Sequence, residues 1–250
     1  MYARFAYVYD ELMRDVPYNK WLQFVESERQ VNQLNGNRIL EIACGTGELS
    51  VLLAQNDFDV TGVDLSSDML MVAYGKAERA NENITFYEQD MAKLEGLGTY
   101  DIVTIFCDSL NYLQTADQVV QTFHRVSNHL DEGGLFLFDV HSPYKIEKVF
   151  MNQAFSYVTD DISYIWNCYP GETPYTVEHD LTFFLKDNDT DQYERFDEFH
   201  IQRTYSVNDY SKWLKEAEFE ILTITADFTK DAPTEESERI FFVCQKKIKE

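Results

Sequence analysis

Cysteine is scarce in this chain and never clustered: Cys44, Cys107, Cys168 and Cys244 are far apart in 250 residues, with no CxxC pair. That spacing excludes a disulfide framework and a thiolate zinc site, so the four read as reduced packing residues. The five histidines show no metal-ligand spacing either, and no metal is expected. Five prolines mark no extended linker, and repeats and low-complexity segments are absent. Basic residues are few, 21 against 44 acidic, for a net charge of -23. Phosphate binding requires clustered Lys and Arg that release counterions, so a nucleic-acid partner is not expected. The acidic excess either solvates the surface or steers a cationic substrate. No apolar run approaches the roughly 18 residues of a membrane span. Arg4, Asp10 and Glu11 interrupt any signal-peptide pattern, so a cytoplasmic protein with no membrane partner is expected.

What the chain does have is enough apolar residue, 44%, for one sizeable core. Typical domain sizes leave about 60 residues over for an insertion. Ahead of the first strand, Val8, Leu12, Trp21, Leu22, Val25 and Leu34 recur at helical spacing. Arg38 to Ser50 (RILEIACGTGELS) then reads as a buried parallel strand that ends in an acidic residue and a glycine turn. Gly45 and Gly47 let the chain turn sharply and bring bare backbone to a ligand at the next helix start. Phe58 to Asp64 is a second strand, ending on a carboxylate about 20 residues after the glycines, where ribose hydroxyls are held in doubly wound sheets. Ile84 to Met91 is a third strand, whose Asp90 suits an adenine amino group and whose Met91 suits the ring face.

These spacings predict an adenosine ligand. A dinucleotide would want a third glycine where Ser50 stands, and its pyrophosphate would be repelled by Glu41 and Glu48. A cationic sulfonium bearing an ammonium group is favoured by the same charges.

On these residues the chain resembles the class I S-adenosylmethionine-dependent methyltransferases. Glu41 to Gly47 (EIACGTG) is similar to their first motif, Asp64 in GVDLSSDML to the second and Asp90-Met91 in YEQDMAKL to the third. Tyr100 to Leu113 (YDIVTIFCDSLNYL) is similar to the fourth strand and the loop facing the reacting methyl. Within the class it resembles small-molecule N-methyltransferases of the glycine and aminosugar type and bacterial YqeM-type proteins, through YARFAYVYDELM and LNYL.

The resemblance implies an α/β, Rossmann-like, doubly wound and mostly parallel seven-stranded sheet with a terminal antiparallel hairpin and an inserted antiparallel β lid. Residues 1–145 and 206–250 would form the cofactor domain and 146–205 the lid, which covers the substrate or mediates a homodimer. Local signals agree. Ser66 is a candidate N-cap, a helix is expected from about Asp117 to Leu130, closed by Gly133-Gly134, and Leu135 to Val140 is a fifth strand. Alternating segments over 154–205, with a turn at Asp187-Asn188-Asp189, precede a helix over Val207 to Phe219 and strands over Glu220 to Ala226 and Arg239 to Gln245.

S-adenosyl-L-methionine is therefore the expected cofactor, held by Tyr9, Glu41, Ala43, Gly45, Gly47, Asp64, Leu65, Asp90, Met91 and Phe106. Tyr2, Phe5, Tyr7 and Tyr9 form an aromatic cluster; Tyr9 is placed at the methionyl end, or else packs the first helix. Asp108, Tyr9 and His141 are the catalytic candidates. Asp108 either holds an amine, takes its proton if burial raises the carboxyl's pKa, or caps the following helix. His141 is the alternative base or orienter. Methyl transfer to an amine needs mainly a neutral nucleophile held in line. CDSLNY lacks the Asn-Pro-Pro-Tyr pattern of base and glutamine-amide modifiers. A small, amine-bearing metabolite is expected as acceptor. Two other functions stay open: an O-methyltransferase using Arg195 or Arg203 as a cationic clamp, and a non-catalytic cofactor-binding module.

Overall fold

The computed structural model describes residues 9–10, 13–187, 190 and 192–248. The expectations placed on Tyr2, Phe5, Tyr7, Val8, Leu12 and the Asn188-Asp189 turn lie outside the described residues.

Helix α1 (Tyr18–Val31) buries Trp21, Leu22 and Val25 on one face, the spacing of a single helical stripe. Strand β1 (Arg38–Ile42) is buried from Ile39 onward because helices cover both faces of its sheet. The chain then alternates through α2 (Glu48–Ala54), β2 (Asp59–Asp64), α3 (Ser67–Ala80), β3 (Thr85–Glu88), β4 (Tyr100–Ile105), α4 (Ala116–Asn128) and β5 (Leu130–His141). Helix starts follow their caps. The Ser66 hydroxyl accepts from the Met69 amide, and Thr115 with Gln118 forms a reciprocal capping box for α4.

One expectation fails here: Gly133 and Gly134 do not close a helix. α4 ends at Asn128, and β5 begins at Leu130, which pairs with Tyr100. The glycines sit inside β5 at a register shift, where a Cβ on Gly134 would lie 2.9 Å from the Asp131 carbonyl. Gly134 is needed for close strand approach and Gly133 for its left-handed φ of 76°, rather than for helix termination.

The remaining strands are β6 (Ala154–Val158), β7 (Ile162–Pro170), β8 (Thr176–Asp187), β9 (Gln192–Arg203), β10 (Phe219–Ala226) and β11 (Arg239–Lys246), with α5 (Val207–Glu216) between β9 and β10. α5 starts on a Ser206–Asp209 capping box and stops before Phe219, which belongs to β10. The large sheet has seven strands in the order β10-β11-β5-β4-β1-β2-β3. β1 to β5 are parallel, and β11 inserts antiparallel beside β5, which sets Arg239 opposite His141. Two apolar clusters cover its faces, one built on Phe123, Phe136, Phe138, Tyr210 and Phe242, the other on Trp21, Val25, Leu49, Ala73 and Phe241.

β6 to β9 form a separate four-stranded antiparallel sheet in sequence order. Asn111 ties the two sheets together: its amide nitrogen donates to the Arg203 carbonyl at 2.9 Å, and its oxygen accepts from the His141 amide at 2.8 Å. Thr204 adds a 2.5 Å hydroxyl bond to the His141 carbonyl. The inserted sheet is thereby seated over the carboxyl end of β4 and β5. Among the described residues no helix is long and apolar enough to cross a membrane.

Candidate active site

The loop after β1 is shaped by three left-handed residues, Ala43, Gly45 and Gly47, with φ of 58°, 54° and 74°. Gly47 is demanded twice over, since a Cβ there would lie 2.9 Å from the Cβ of Ala73 on α3. At Gly45 only the φ is restrictive; a Cβ would meet nothing within 4 Å. The backbone there faces open space, as a loop that receives a ligand must.

That space is a cleft lined by Tyr9, Tyr18, Glu41, Ala43, Cys44, Gly45, Thr46, Glu48, Leu49, Phe106, Cys107 and Ser109. Five of the expected cofactor residues, Tyr9, Glu41, Ala43, Gly45 and Phe106, are in this lining. Asp64 sits beside it, its Oδ2 accepting from the Gly45 amide at 2.8 Å and its Oδ1 from Ser66 at 2.9 Å. Leu65, the next residue, is 69% exposed, an apolar surface available to a planar ligand. Gly47 acts behind the loop, through its packing on α3. Asp90 and Met91 are at the same end of the sheet, joined to Asp64 through the Gln89 amide, but they do not line the cleft. Asp90 receives the Lys93 ammonium at 2.8 Å and the Ala92 amide at 2.9 Å, and Lys93 holds its carboxyl below the usual range.

Glu41 and Glu48 bring carboxyl groups into the lining. Glu41 is buried, and burial pushes its carboxyl up to about 8 against the pull of a hydrogen bond from Ser50. Burial raises Asp64 as well, opposed by the amides it accepts from. Such a set suits a cation and disfavours a pyrophosphate. Glu48 is bridged by Lys76, which also holds Asp10 at 2.9 Å, while Asp10 accepts from Thr46 at 2.5 Å. These contacts fasten the segment carrying Tyr9 over the loop. Burial keeps the Tyr9 and Tyr18 phenols protonated, each well above its ordinary range.

Beyond the cleft, Cys107 and Asp108 both turn left-handed, with φ of 54° and 53°. Their amides donate to the two oxygens of Asp139, each at 3.0 Å. Asp139 is fully buried; it also accepts from Trp21 Nε1 at 2.8 Å and from the Arg239 guanidinium. Asp108 in turn accepts from Arg239 Nη2 at 2.9 Å and from Gln202 Nε2 at 2.7 Å, with His141 Nε2 at 3.3 Å. Burial alone would raise the Asp108 carboxyl, but the neighbouring His141 ring and the Arg239 guanidinium, with the hydrogen bond from Gln202, outweigh it and hold it far below the carboxylate range. The condition for Asp108 to serve as a general base is therefore not met. Nor does it cap the Ser109–Tyr112 turn, for it makes no side-chain cap bond. His141 is 4% exposed, and its Nδ1 is buried with no hydrogen-bond partner among the described residues.

The sequence reading missed Asp139, Arg239 and Gln202. Asp139 carried a signal, an acidic residue inside the apolar run LFLFDVH, where a carboxylate demands partners. Arg239 and Gln202 carried none, because their partners are remote in sequence. Of the clamp arginines considered earlier, Arg195 pairs with Asp197 at the surface, and Arg203 donates to the Gln114 carbonyl while its guanidinium lies 4.7 Å from the Tyr205 ring centroid. The described residues contain no His, Cys, Asp and Glu cluster suited to a metal.

Comparison with known proteins bears on this geometry. Residues 39–134 match a methyltransferase domain family. A provisionally named methyltransferase of Geobacillus sp. (strain WCH70) is 52% identical over 98% of this chain and 99% of its own. YqeM of Bacillus subtilis (strain 168), also provisionally named a methyltransferase, is 44% identical over 98% of this chain and 97% of its own. The crystal structure of an S-adenosylmethionine-dependent methyltransferase from Clostridium acetobutylicum ATCC 824 superposes with a TM-score of 0.89 at 34% identity, covering 98% of this chain and 99% of that one. With a glycine turn open to a ligand, an acidic cleft and relatives along almost its whole length, the chain belongs to the S-adenosylmethionine-dependent methyltransferases, in the group of YqeM-like proteins.

Proposed function

We propose that this enzyme methylates a small, amine-bearing metabolite held beneath the inserted sheet. When bound, S-adenosylmethionine supplies a methyl group already activated by its sulfonium charge. Asp64 and Gly45 would hold its ribose end and Glu41 its cationic end, with Tyr9 and Phe106 walling the cleft. Asp90 and Met91 would sit toward the adenine.

The observation that carries the acceptor side is the pair formed by Asp108 and His141. An amine arrives largely protonated at neutral pH and must lose a proton before it can act as a nucleophile. With Nε2–H turned to the ionised Asp108, the imidazole leaves a lone pair on Nδ1, an atom with no hydrogen-bond partner among the described residues. His141 accepts the proton at Nδ1, and Asp108 orients the ring and stabilises the imidazolium. The roles expected from sequence are thus exchanged: His141 is the base and Asp108 its orienter. The inserted sheet excludes water and, in this reading, offers the surface for a homodimer. The fold agrees with the reading, since the sugar N-methyltransferase KedS8 shares it with a TM-score of 0.78 at 17% identity.

A hydroxyl acceptor is the second reading. The same dyad could deprotonate it, and a ubiquinone biosynthesis O-methyltransferase of Coxiella burnetii is 27% identical over 66% of this chain. S-adenosylhomocysteine release over matched panels of amines, phenols and carboxylates decides between them. Turnover confined to amines supports the proposal, and turnover confined to hydroxyl or carboxyl compounds overturns it.

A further inference from the structure

The side chains that seat Asp108 do not end at Gln202. While Gln202 Nε2 donates to Asp108, its Oε1 lies 3.1 Å from His179 Nε2, and His179 Nδ1 lies 2.9 Å from Trp166 Nε1. These groups come from three strands of the inserted sheet, β9, β8 and β7. Gln202 and His179 are each 4% exposed.

The proton positions along this chain are forced by chemistry. An indole nitrogen only donates, so His179 Nδ1 must accept from Trp166. The imidazole proton then sits on Nε2 and is donated to the Gln202 oxygen. That contact orients the amide, whose NH2 can only face Asp108. Each member has one orientation that satisfies its neighbour, and the last member is the carboxylate that aligns His141. Burial supports the arrangement by keeping His179 neutral, its pKa pulled down to about 4 despite the Gln202 hydrogen bond. The ring is further held by Phe150, which also lies edge-on to His141.

We propose that Gln202 and His179 are positioning residues that fix the Asp108 carboxylate from the inserted sheet, so that this sheet completes the proton-accepting dyad as well as covering it. The inference rests on the base role given above to His141, but its geometry can be tested without an acceptor.

The test is nitrogen-15 NMR of the histidine rings and the Trp166 indole in the full chain. Wild-type protein should show His179 as the Nε2–H tautomer near neutral pH. In Asp108→Asn, Arg239 still requires an oxygen, so the new amide must turn its NH2 toward Gln202. Gln202 would then have to reverse, presenting NH2 to a nitrogen that already carries a proton, and the chain could not satisfy Trp166 as well. The wild-type His179 and Trp166 signals should be lost together while the rest of the spectrum stays native. An Nδ1–H tautomer in the wild type, or unaltered signals in folded Asp108→Asn, overturns the proposal.

With an acceptor in hand, Gln202→Leu should lower kcat about tenfold and leave the KM for S-adenosylmethionine unchanged. His179→Gln, which can still donate to Gln202, should recover much of the activity lost in His179→Leu. Equal activity in the two His179 variants overturns the proposal. Absence of turnover on every acceptor would defeat the function proposed above, and the NMR result would still decide the positioning chain.

Discussion

Arg239 Nη2 donates to Asp108 Oδ1 at 2.9 Å, although 131 residues separate them. Nη1 of the same guanidinium donates to Asp139, and its Cζ lies 5.4 Å from the Trp21 ring centroid. One cation therefore balances two carboxylates, Asp108 on the turn after β4 and Asp139 within β5. Only a planar fork bridges both at once.

Removing that cation should be costly. Arg239→Met leaves Asp139 buried with its amide and indole donors but no counter-charge, and stability should fall by about 3–5 kcal/mol. Arg239→Lys keeps the charge and loses the bridge, and should recover part of the loss. Urea unfolding measures both; a loss below about 1 kcal/mol in Arg239→Met would mean that the N–H donors suffice for Asp139.

The two loop glycines should separate folding from binding. Gly47→Ala combines a left-handed φ with a 2.9 Å contact to Ala73, and should destabilise the fold by about 2–4 kcal/mol. Gly45→Ala carries only the φ cost of about 1–2 kcal/mol, yet its methyl enters the cleft. It should lose most cofactor affinity while remaining folded. Thermal unfolding with calorimetric titration of both variants checks the contrast.

Asp64→Ala removes the acceptor for the Gly45 and Ser66 amides as well as the expected ribose contact. Affinity for S-adenosylmethionine should drop by about 30-fold or more, by the worth of hydrogen bonds to a charged group. Undiminished calorimetric binding would place the ribose elsewhere.

Glu41 should leave a pH signature. Its carboxyl is raised by burial from 4.5 to about 8, so between those values the unfolded chain has released a proton that the folded chain retains. Stability should fall as pH rises through that window, and Glu41→Gln should remove this part of the slope. Cofactor binding should run the other way: the cation prefers ionised Glu41, so affinity rises toward pH 8 with proton release. Calorimetry in buffers of different ionisation heat reads that release, and equal heats in all buffers would exclude the coupling.

Replacing His141 with Gln should cut turnover by about 10²–10⁴-fold, the usual worth of a positioned base, with cofactor affinity unchanged. Steady-state rates across pH, alongside calorimetry, check this. Wild-type turnover in His141→Gln would leave the proton with solvent.

The glycine turn after β1 and the carboxylates beside it were legible because the parts are local. A buried strand, a turn requiring left-handed residues at Gly45 and Gly47, and a carboxylate closing the next strand are consecutive along the chain, and each is restricted by its own backbone chemistry. The misplaced end of α4 shows the limit of that logic. A glycine pair reads equally as a helix stop or as a place where strands approach, and only the Asp131 and Asp101 carbonyls crowding Gly134 distinguish the two. The place of Asp108 just after β4 was legible, while its charge state was not, because burial and ion pairing push a carboxyl in opposite directions.

Local pattern alone determined the alternating elements and the glycine turn at Gly45 and Gly47 with the carboxylates Glu41 and Asp64 beside it, since backbone preference and hydrophobic period act over a few residues. Tertiary structure decided which groups surround Asp108 and His141. Arg239 reaches them because β11 runs antiparallel beside β5, and Gln202 because Asn111 and Thr204 seat the inserted sheet on the carboxyl end of β5. Electrostatic balance in a buried site depends on distances through space, and those exist only once the strands have been ordered.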